Sequence, residues 1–438
     1  MLILRAVLWE RIIKTIMNKG IRISGGVPLR GDVQISGSKN AISAILPALC
    51  LADGSTPSIL RGVPCIDDAC TLMSILEETG LTVKKRLDEH EIDVSGRIAN
   101  NRLSARHAPK IRASSLFLGS LLAATGEVHM PFCGGDKIGD RPLDIHFYVM
   151  DKFKIATAID EGEIHCRATE FPLRGATIFL RYPSVGATEN AIILAAKAQG
   201  NTYIYNAACE PEVTDLVIAL NKMGANIAGA GTPIIRVTGV RQLKALDHEV
   251  IPDRIETSTF MLALACTRGQ GRIVGGIPEH CISVLNTLSD AGVKVGYSAA
   301  EISIDASAGN FKAVRISALP YPGVPTDVQP LLSVFATQCD GNSVITDNVF
   351  KERFAYVTEY AKMGIDLSHS YDQICITGPQ TLTNAVVEGG DIRTVSTLVL
   401  AALVAQKESI VYGLDHLNRG YDGFVRKLSA IGAQIEEI

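Results

Sequence analysis

The chain has 438 residues, of which 47% are hydrophobic and 20% are charged, and its formal net charge at pH 7 is -4. A chain this apolar can bury one large or two medium cores, which excludes an intrinsically disordered protein. The slightly negative charge argues against general binding to nucleic acid, and no stretch reaches the roughly 18 apolar residues of a membrane span. The ten cysteines form no Cys-x-x-Cys pair, so we expect free thiols in a reducing cytoplasm and no metal site.

The first sixteen residues mix apolar side chains with four charged ones and contain the single tryptophan, Trp9. The charges interrupt the apolar core that a signal peptide needs. A second methionine, Met17, precedes the first strand-like run. We therefore interpret residues 1–16 as an N-terminal extension that the fold does not need, and a surface-seeking amphipathic helix is the alternative.

One pattern recurs along the rest of the chain: an apolar helix end, a glycine and an alternating strand. The glycines of this pattern are Gly80, Gly224, Gly292, Gly364 and Gly432. A glycine there ends the helix in the left-handed conformation before the chain turns into a strand. The first spacing is twice the later ones, which predicts a hidden copy with Lys154 in the glycine position. Six units of about 70 residues, each roughly β-α-β-α-β-β, predict an α/β fold with two halves of three units.

A cleft between two such halves is a common place for a ligand, and helix N-termini aimed at it would attract anions. Lys39 follows Ser-Gly-Ser at the start of an apolar helix, where it can hold a phosphate. Residues 132–146 contain a glycine-rich loop with acids and cations ahead of a helix, Asp327 starts an apolar helix, and Arg419 opens the second helix of the last unit. Taken singly, these features also fit a surface lysine, a solvated loop and a helix N-cap.

Taken together and in this order, the segments resemble the UDP-N-acetylglucosamine enolpyruvyl transferases. The resemblance covers essentially all of residues 18–438, and further matching segments lie at residues 111–114, 184–188, 252–257, 350–354 and 391–393. It implies two inverse α/β barrel-like domains, each of three βαβαββ units, in agreement with the six copies. It also implies that residues 17–38 and 252–438 form domain one, and that residues 39–251 form domain two with a mobile loop at residues 132–142.

The resemblance implies transfer of the enolpyruvyl group of phosphoenolpyruvate to the 3-hydroxyl of UDP-N-acetylglucosamine with release of phosphate, the first committed step of peptidoglycan synthesis. This reaction needs cations for the phosphate and carboxylate, an acid that protonates C3, a base for the hydroxyl proton and exclusion of water. It needs no metal and no organic cofactor. We expect a cytoplasmic transferase, monomeric or weakly homo-oligomeric, with these two small molecules as its partners and a role in cell shape and division.

The resemblance places six cations around phosphoenolpyruvate: Lys39, Arg112, Arg141, Arg353, Arg393 and Arg419. Lys39, Arg141 and Arg419 would hold the phosphate, and Arg353 and Arg419 would face the carboxylate, since a guanidinium can form two parallel hydrogen bonds with either group. Arg112 would contact the loop and the phosphate region.

For the acceptor, the resemblance assigns Asp327 as the general base or as the group that orients the reacting hydroxyl. Asn40 would hydrogen-bond the sugar, and Phe350 would line the sugar pocket. The nucleotide would contact Arg141, Pro142, Leu143, Asp144, Ile145, Ser184, Val185 and Gly186.

One departure affects the chemistry. Most members of the family carry a cysteine on the loop as the proton donor to C3, where this chain has Asp136, and Cys133 lies too early to replace it. Some members carry aspartate there, and a carboxylic acid can donate this proton if desolvation and nearby negative charge raise its pKa. We therefore predict resistance to fosfomycin, an epoxide that alkylates the cysteine thiolate, because a carboxylate is a much poorer nucleophile.

Three alternatives stay open from the sequence. A related transferase acts on shikimate 3-phosphate, but it has an Asn-Ala-Gly-Thr loop where this chain has residues 134–137. Another nucleotide acceptor, such as a uridine monophosphate, would suit the same machinery. A catalytically silent paralogue would bind the UDP-sugar and release no phosphate.

Overall fold

The computed structural model describes residues 19–136, 138–139 and 141–438, so the proposed extension at residues 1–16 lies outside the described part. The α-helices are α1 (Lys39–Ala48), α2 (Asp67–Glu78), α3 (Leu116–Thr125), α4 (Asp144–Lys152), α5 (Val185–Ala196), α6 (Pro211–Lys222), α7 (Arg254–Cys266), α8 (Ile282–Asp290), α9 (Gln329–Ala336), α10 (Val357–Tyr360), α11 (Ile392–Val404), α12 (Leu414–Asn418) and α13 (Phe424–Ala430). Short 3-10 helices occupy Leu49–Leu51, Leu87–Glu89, Ala108–Lys110, Arg112–Ser115, Pro278–Cys281 and Ala361–Met363.

The strands of the first half of the chain are β1 (Gly20–Gly25), β2 (Arg30–Gln34), β3 (Ser58–Arg61), β4 (Thr82–Arg86), β5 (Glu91–Ser95), β6 (Glu127–Pro131), β7 (Ile155–Asp160), β8 (Glu163–Ala168), β9 (Thr177–Phe179), β10 (Asn201–Tyr205), β11 (Asn226–Ala228) and β12 (Ile234–Thr238). Those of the second half are β13 (Asp247–Glu249), β14 (Gln270–Val274), β15 (Lys294–Ser298), β16 (Glu301–Asp305), β17 (Phe311–Lys312), β18 (Arg315–Ala318), β19 (Cys339–Asp347), β20 (Ser368–Ser370), β21 (Gln373–Gly378), β22 (Val386–Glu388), β23 (Lys407–Tyr412) and β24 (Gln434–Glu437).

These strands form six sheets, three in each of two lobes. Lobe one holds the sheets β22-β23-β1-β24, β15-β16-β14-β2 and β17-β19-β21-β20, with β18 also paired to β19. Lobe two holds the sheets β13-β3-β5-β4, β6-β8-β7 and β11-β12-β10-β9. The two ends of the described chain meet in lobe one, where β1 pairs with β24 and places Ile23 opposite Ile435.

Each lobe has its own hydrophobic core. The buried residues of lobe two lie between residues 41 and 250, and those of lobe one lie at residues 21–35 and 255–433. The chain crosses between the lobes twice at one place, where Gly37 pairs with Pro252 and the Ser38 N–H donates to the Ile251 carbonyl at 2.7 Å. The domain bounds expected from the sequence stay a prediction, which these two cores support.

Three helices lie at the centre of each lobe: α1, α3 and α5 in lobe two, and α7, α9 and α11 in lobe one. They are apolar on nearly every face, and most of their residues are buried, which fits a helix enclosed by other elements. The sheets lie outside them, so each lobe is an inverse barrel. No helix in the described ranges is long and apolar enough to cross a bilayer.

The repeat pattern corresponds to helix ends in the left-handed conformation. The five glycines of the pattern all have positive φ, from 71° at Gly364 to 104° at Gly224. Lys154, which follows α4 and leads into β7, takes φ 57°. The hidden sixth copy is therefore real, and a lysine adopts the conformation that glycine adopts in the other five.

Candidate active site

A cavity of about 480 Å³ lies between the two lobes and is also lined by Asp136, Ile138, Arg141 and Pro142 of the loop. Of the residues predicted for the site, fifteen line it: Lys39, Asn40, Arg112, Asp136, Arg141, Pro142, Asp144, Ile145, Ser184, Val185, Gly186, Asp327, Phe350, Arg353 and Arg393. Two predicted residues are not among the lining side chains. Leu143 is buried just before α4, and Arg419 is ion-paired with Asp136, which does line the cavity.

All six central helices direct their N-terminal ends to this cavity. Lining residues come from the first turns of α1, α3, α5, α7 and α11, and Asp327 lies just ahead of α9. Helix N-termini present unpaired N–H groups and a partial positive charge. Ser184 is an example: its hydroxyl caps α5 by accepting from the Ala187 N–H, and the next residues, Val185 and Gly186, line the cavity. The repeated architecture therefore gathers six helix N-termini around one cleft, and those of α7 and α11 are capped by the carboxylates of Asp253 and Asp391.

Asp327 is held between two arginines. Its Oδ1 accepts from Arg353 Nη1 at 2.6 Å, and its Oδ2 accepts from Arg393 Nη2 at 2.9 Å and from Nε at 3.1 Å. Burial alone would raise the pKa of Asp327, but the charges of Arg353 and Arg393 outweigh it and hold that pKa far below its usual value. In this state Asp327 is a carboxylate with little tendency to take a proton.

Arg112 and Arg141 have no carboxylate partner among the described residues. Arg112 donates to the Pro142 carbonyl at 3.0 Å and contacts the Cys133 sulfur at 3.5 Å, and Arg141 lies 5.7 Å from the centre of the Phe350 ring. Burial lowers the pKa of Arg141, and the like charges of Arg112 and Arg353 lower it further. Two guanidiniums are thus available for an anion.

Arg419 and Lys39 share one buried carboxylate, Asp68. Arg419 Nε donates to Asp68 Oδ1 at 2.9 Å, and Lys39 Nζ lies 3.2 Å from Asp68 Oδ2. Arg419 also pairs through Nη1 with Asp136 on the loop. These contacts join the loop, the start of α1 and the last unit of lobe one, and they place Arg419 next to the cavity.

The loop passes close to the backbone of lobe two. A Cβ atom at Gly134 would lie 1.8 Å from the Pro109 carbonyl oxygen, so the loop can follow this path only with glycine there. Cys133 is half-buried, and burial raises the pKa of its thiol above the usual value. A thiol in this state is a poor nucleophile.

Sequence reasoning missed several residues of the site. Asp68 is the second residue of α2 and, from the sequence, is an ordinary acid in the first turn of a helix. Asp347 is fully buried and fixes Phe350 by accepting from the Val349 and Phe350 N–H groups at 2.9 and 2.8 Å. Glu189 and Glu210 line the cavity. Glu210 lies in the segment Cys-Glu-Pro-Glu. The sequence could have pointed to Glu210 only through its position directly before a proline that starts a helix.

Comparison with curated proteins decides the family. The chain is 39% identical over 416 residues to "UDP-N-acetylglucosamine 1-carboxyvinyltransferase" of Halothermothrix orenii, covering 95% of this chain and 99% of the relative. It is 38% identical to "UDP-N-acetylglucosamine 1-carboxyvinyltransferase 1" of Staphylococcus aureus, covering 95% and 99% of the two chains. The chain belongs to this family. A numbered member from Caldanaerobacter subterraneus is 41% identical, covering 95% of this chain and 98% of that member.

A broader family model, described as EPSP synthase (3-phosphoshikimate 1-carboxyvinyltransferase), matches residues 23–428. Among solved structures, the enolpyruvyl transferase NikO from Streptomyces tendae superposes with a TM-score of 0.86 at 24% identity, covering 96% of this chain and 99% of that one. EPSP synthase from Acinetobacter baumannii superposes with a TM-score of 0.74 at 17% identity, covering 96% and 100%. These structures confirm the predicted fold class, and the curated relatives confirm that the chain is a transferase.

Proposed function

We propose that this member of the 1-carboxyvinyltransferase family transfers the enolpyruvyl group of phosphoenolpyruvate to the 3-hydroxyl of UDP-N-acetylglucosamine and releases phosphate, in the cytoplasm, as the first committed step of peptidoglycan synthesis. One observation carries the proposal: cations from both lobes and from the loop meet at one cavity around a carboxylate that is paired with two of them. Relatives named for this activity align with 95% of this chain.

Phosphoenolpyruvate is a small, highly charged anion, and the cavity offers matching groups. Arg112 and Arg141 would bind its phosphate first, because they have no carboxylate to give up among the described residues. Lys39 and Arg419 would add charge while Asp68 keeps them in place. Arg353 would meet the carboxylate with its outer N–H groups.

Asp327 would act on the acceptor hydroxyl. As a carboxylate it can accept a hydrogen bond from the 3-hydroxyl and orient it toward C2 of phosphoenolpyruvate. Its basicity depends on Arg353 and Arg393. When a bound anion draws Arg353 toward itself, the attraction that stabilises the charged form of Asp327 weakens, and proton transfer from the hydroxyl becomes easier.

Asp136 would supply the proton to C3. In the present structure its carboxylate is ion-paired with Arg419. A phosphate that competes for Arg419 would free Asp136 and place negative charge beside it, and both changes favour protonation. Addition then joins the sugar oxygen to C2 and the proton to C3, and elimination returns a proton from C3 and expels inorganic phosphate, restoring the double bond.

The test is a phosphate-release assay with phosphoenolpyruvate and three acceptors: UDP-N-acetylglucosamine, uridine monophosphate and shikimate 3-phosphate. We expect stoichiometric phosphate and an enolpyruvyl product only with UDP-N-acetylglucosamine. Release with uridine monophosphate or shikimate 3-phosphate instead would assign a different acceptor. Binding of UDP-N-acetylglucosamine with no phosphate release would identify a silent paralogue.

A further inference from the structure

Part of the cavity wall is acidic and has no role in the chemistry described above. Glu189 in α5 and Glu210 just before α6 line the cavity, and their exposed fractions are 4% and 7%. Behind them Glu212 is bound to Arg254, with Nε 3.0 Å from Oε1. Glu210 and Glu212 both interact with the Arg254 guanidinium, and Glu189 lies near these two carboxylates, so this wall carries an excess of acidic groups.

Glu210 leaves one oxygen without a partner. Its Oε1 accepts from the Tyr321 N–H at 3.3 Å. Its Oε2 is buried and has no hydrogen-bond partner among the described residues. An unsatisfied buried acceptor is costly, and such groups in a cleft call for an explanation. Since Glu210 lines the cavity, a bound molecule is the natural source of the missing donor.

The charge of this wall limits what can bind there. Arg254 is occupied by Glu212. Burial raises the pKa of both Glu189 and Glu210. The neighbouring carboxylates Glu212 and Glu210 raise the pKa of Glu189 further, whereas the charge of Arg254 opposes the rise at Glu210. Phosphate and carboxylate groups are matched by the N–H donors of the arginines and Lys39, whereas a wall of carboxyl groups offers them no such donors. An uncharged group that carries O–H or N–H donors suits the acidic wall.

The acidic wall also reaches the predicted sugar-binding residue. Asn40 Nδ2 lies 3.5 Å from Glu212 Oε1, so Asn40 and the glutamates belong to one connected patch. The cavity is thus divided into a cationic part for phosphates and an acidic part for a neutral donor-bearing group. A nucleotide sugar has this same division between its diphosphate and its sugar ring.

We propose that Glu210 is a specificity-determining residue whose Oε2 accepts a hydrogen bond from a hydroxyl or amide N–H of the acceptor sugar. The inference rests on the proposed function, because it assumes a nucleotide sugar as the acceptor. It adds a contact that selects the sugar independently of the uridine and diphosphate.

The test compares the binding of UDP-N-acetylglucosamine and of UDP to the full chain and to Glu210→Gln, by calorimetric titration. Glutamine keeps the shape and the carbonyl that faces Tyr321, and it presents an NH₂ group where Oε2 was. Two donors would then face each other, so we expect affinity for UDP-N-acetylglucosamine to fall about 10- to 100-fold and affinity for UDP to stay within about twofold.

Glu437→Gln, the same change at an exposed glutamate of β24, serves as the control and should leave both affinities unchanged. An equal loss for both ligands, or no loss for either, would overturn the role of Glu210, and a thermal melt of each variant tells misfolding from a lost contact. Failure of the proposed function itself would appear differently, as no phosphate release by the unaltered chain with UDP-N-acetylglucosamine.

Discussion

Asp68→Asn tests how far one buried carboxylate organises the phosphate-binding cations. Asparagine has nearly the same shape as aspartate, so the change removes a charge and little volume. Asp68 lies 3.2 Å from Lys39 Nζ and 2.9 Å from Arg419 Nε, and its side chain is 7% exposed. Without the carboxylate, Lys39 and Arg419 would repel each other with one charge fewer to balance them.

The size of the effect follows from these distances. Two unit charges about 3 Å apart attract by about 5 kcal/mol at an effective dielectric constant of about 20, and desolvation offsets much of this. Breaking a buried pair costs about 3–5 kcal/mol, and partial exposure of Lys39 (17%) and Arg419 (20%) reduces it. We expect a loss of about 2–3 kcal/mol in the free energy of unfolding, or roughly 2–4 °C in melting temperature for a chain of this length.

The assay is thermal unfolding with and without saturating inorganic phosphate. Phosphate should reduce the difference in melting temperature between Asp68→Asn and the unaltered chain. The bound anion supplies the missing negative charge, and a ligand that binds only the folded state stabilises it by mass action. The matched control is Asp67→Asn, the same change at the neighbouring exposed residue, whose pKa is raised by burial and by Asp68. Its ionised form is disfavoured in the fold, so this control should be neutral or slightly stabilising. The reasoning would be refuted by an equal fall in melting temperature for both variants. It would also be refuted if phosphate left the difference between Asp68→Asn and the unaltered chain unchanged.

Three further predictions follow from the same structure. Lys154→Gly should raise the free energy of unfolding by about 1 kcal/mol, because glycine adopts the left-handed conformation without strain. The control Lys152→Gly, at the end of α4, should lower the free energy of unfolding. A lower free energy of unfolding in both variants would contradict the prediction. Asp136→Asn should abolish phosphate release, while Asp136→Cys should gain irreversible inactivation by fosfomycin that the unaltered chain lacks; inactivation of the unaltered chain would show that Asp136 is misassigned. Burial lowers the pKa of His146 from 6.5 to about 3. Below pH 6.5 the unfolded chain therefore binds a proton at this residue that the folded chain does not bind, and the free energy of unfolding falls as the pH drops toward 3. Between pH 7 and pH 5 this group removes about 2 kcal/mol, and denaturant titrations of His146→Gln should show a correspondingly smaller pH dependence.

The sequence was informative wherever structure depends on neighbours along the chain. The helix-ending glycines revealed the repeat, and their spacing located the sixth copy, because a left-handed residue after a helix depends only on local backbone geometry. Lys154 shows that the fold requires the left-handed conformation at this position even where the residue is not glycine, since its φ is 57°. The family resemblance supplied the cations, and fifteen of the seventeen predicted site residues line the cavity.

The sequence could not show how these groups are paired. Asp68 and Arg419 are 351 residues apart, and Asp136 and Arg419 are 283 apart. Local sequence around Asp68 gives only a helix with acids in its first turn. Likewise, Glu210 becomes notable only when its Oε2 is found buried without a partner.

The sequence by itself therefore determined the repeated units, the α/β fold class and the identity of the cations, since each depends on local helix and strand chemistry or on matching segments. Only the tertiary structure decided which carboxylate each cation holds, why Asp327 stays ionised between Arg353 and Arg393, and where the acidic wall lies. The physical reason is that charge interactions act through space across the cleft, where the two lobes bring together residues that are remote in the chain.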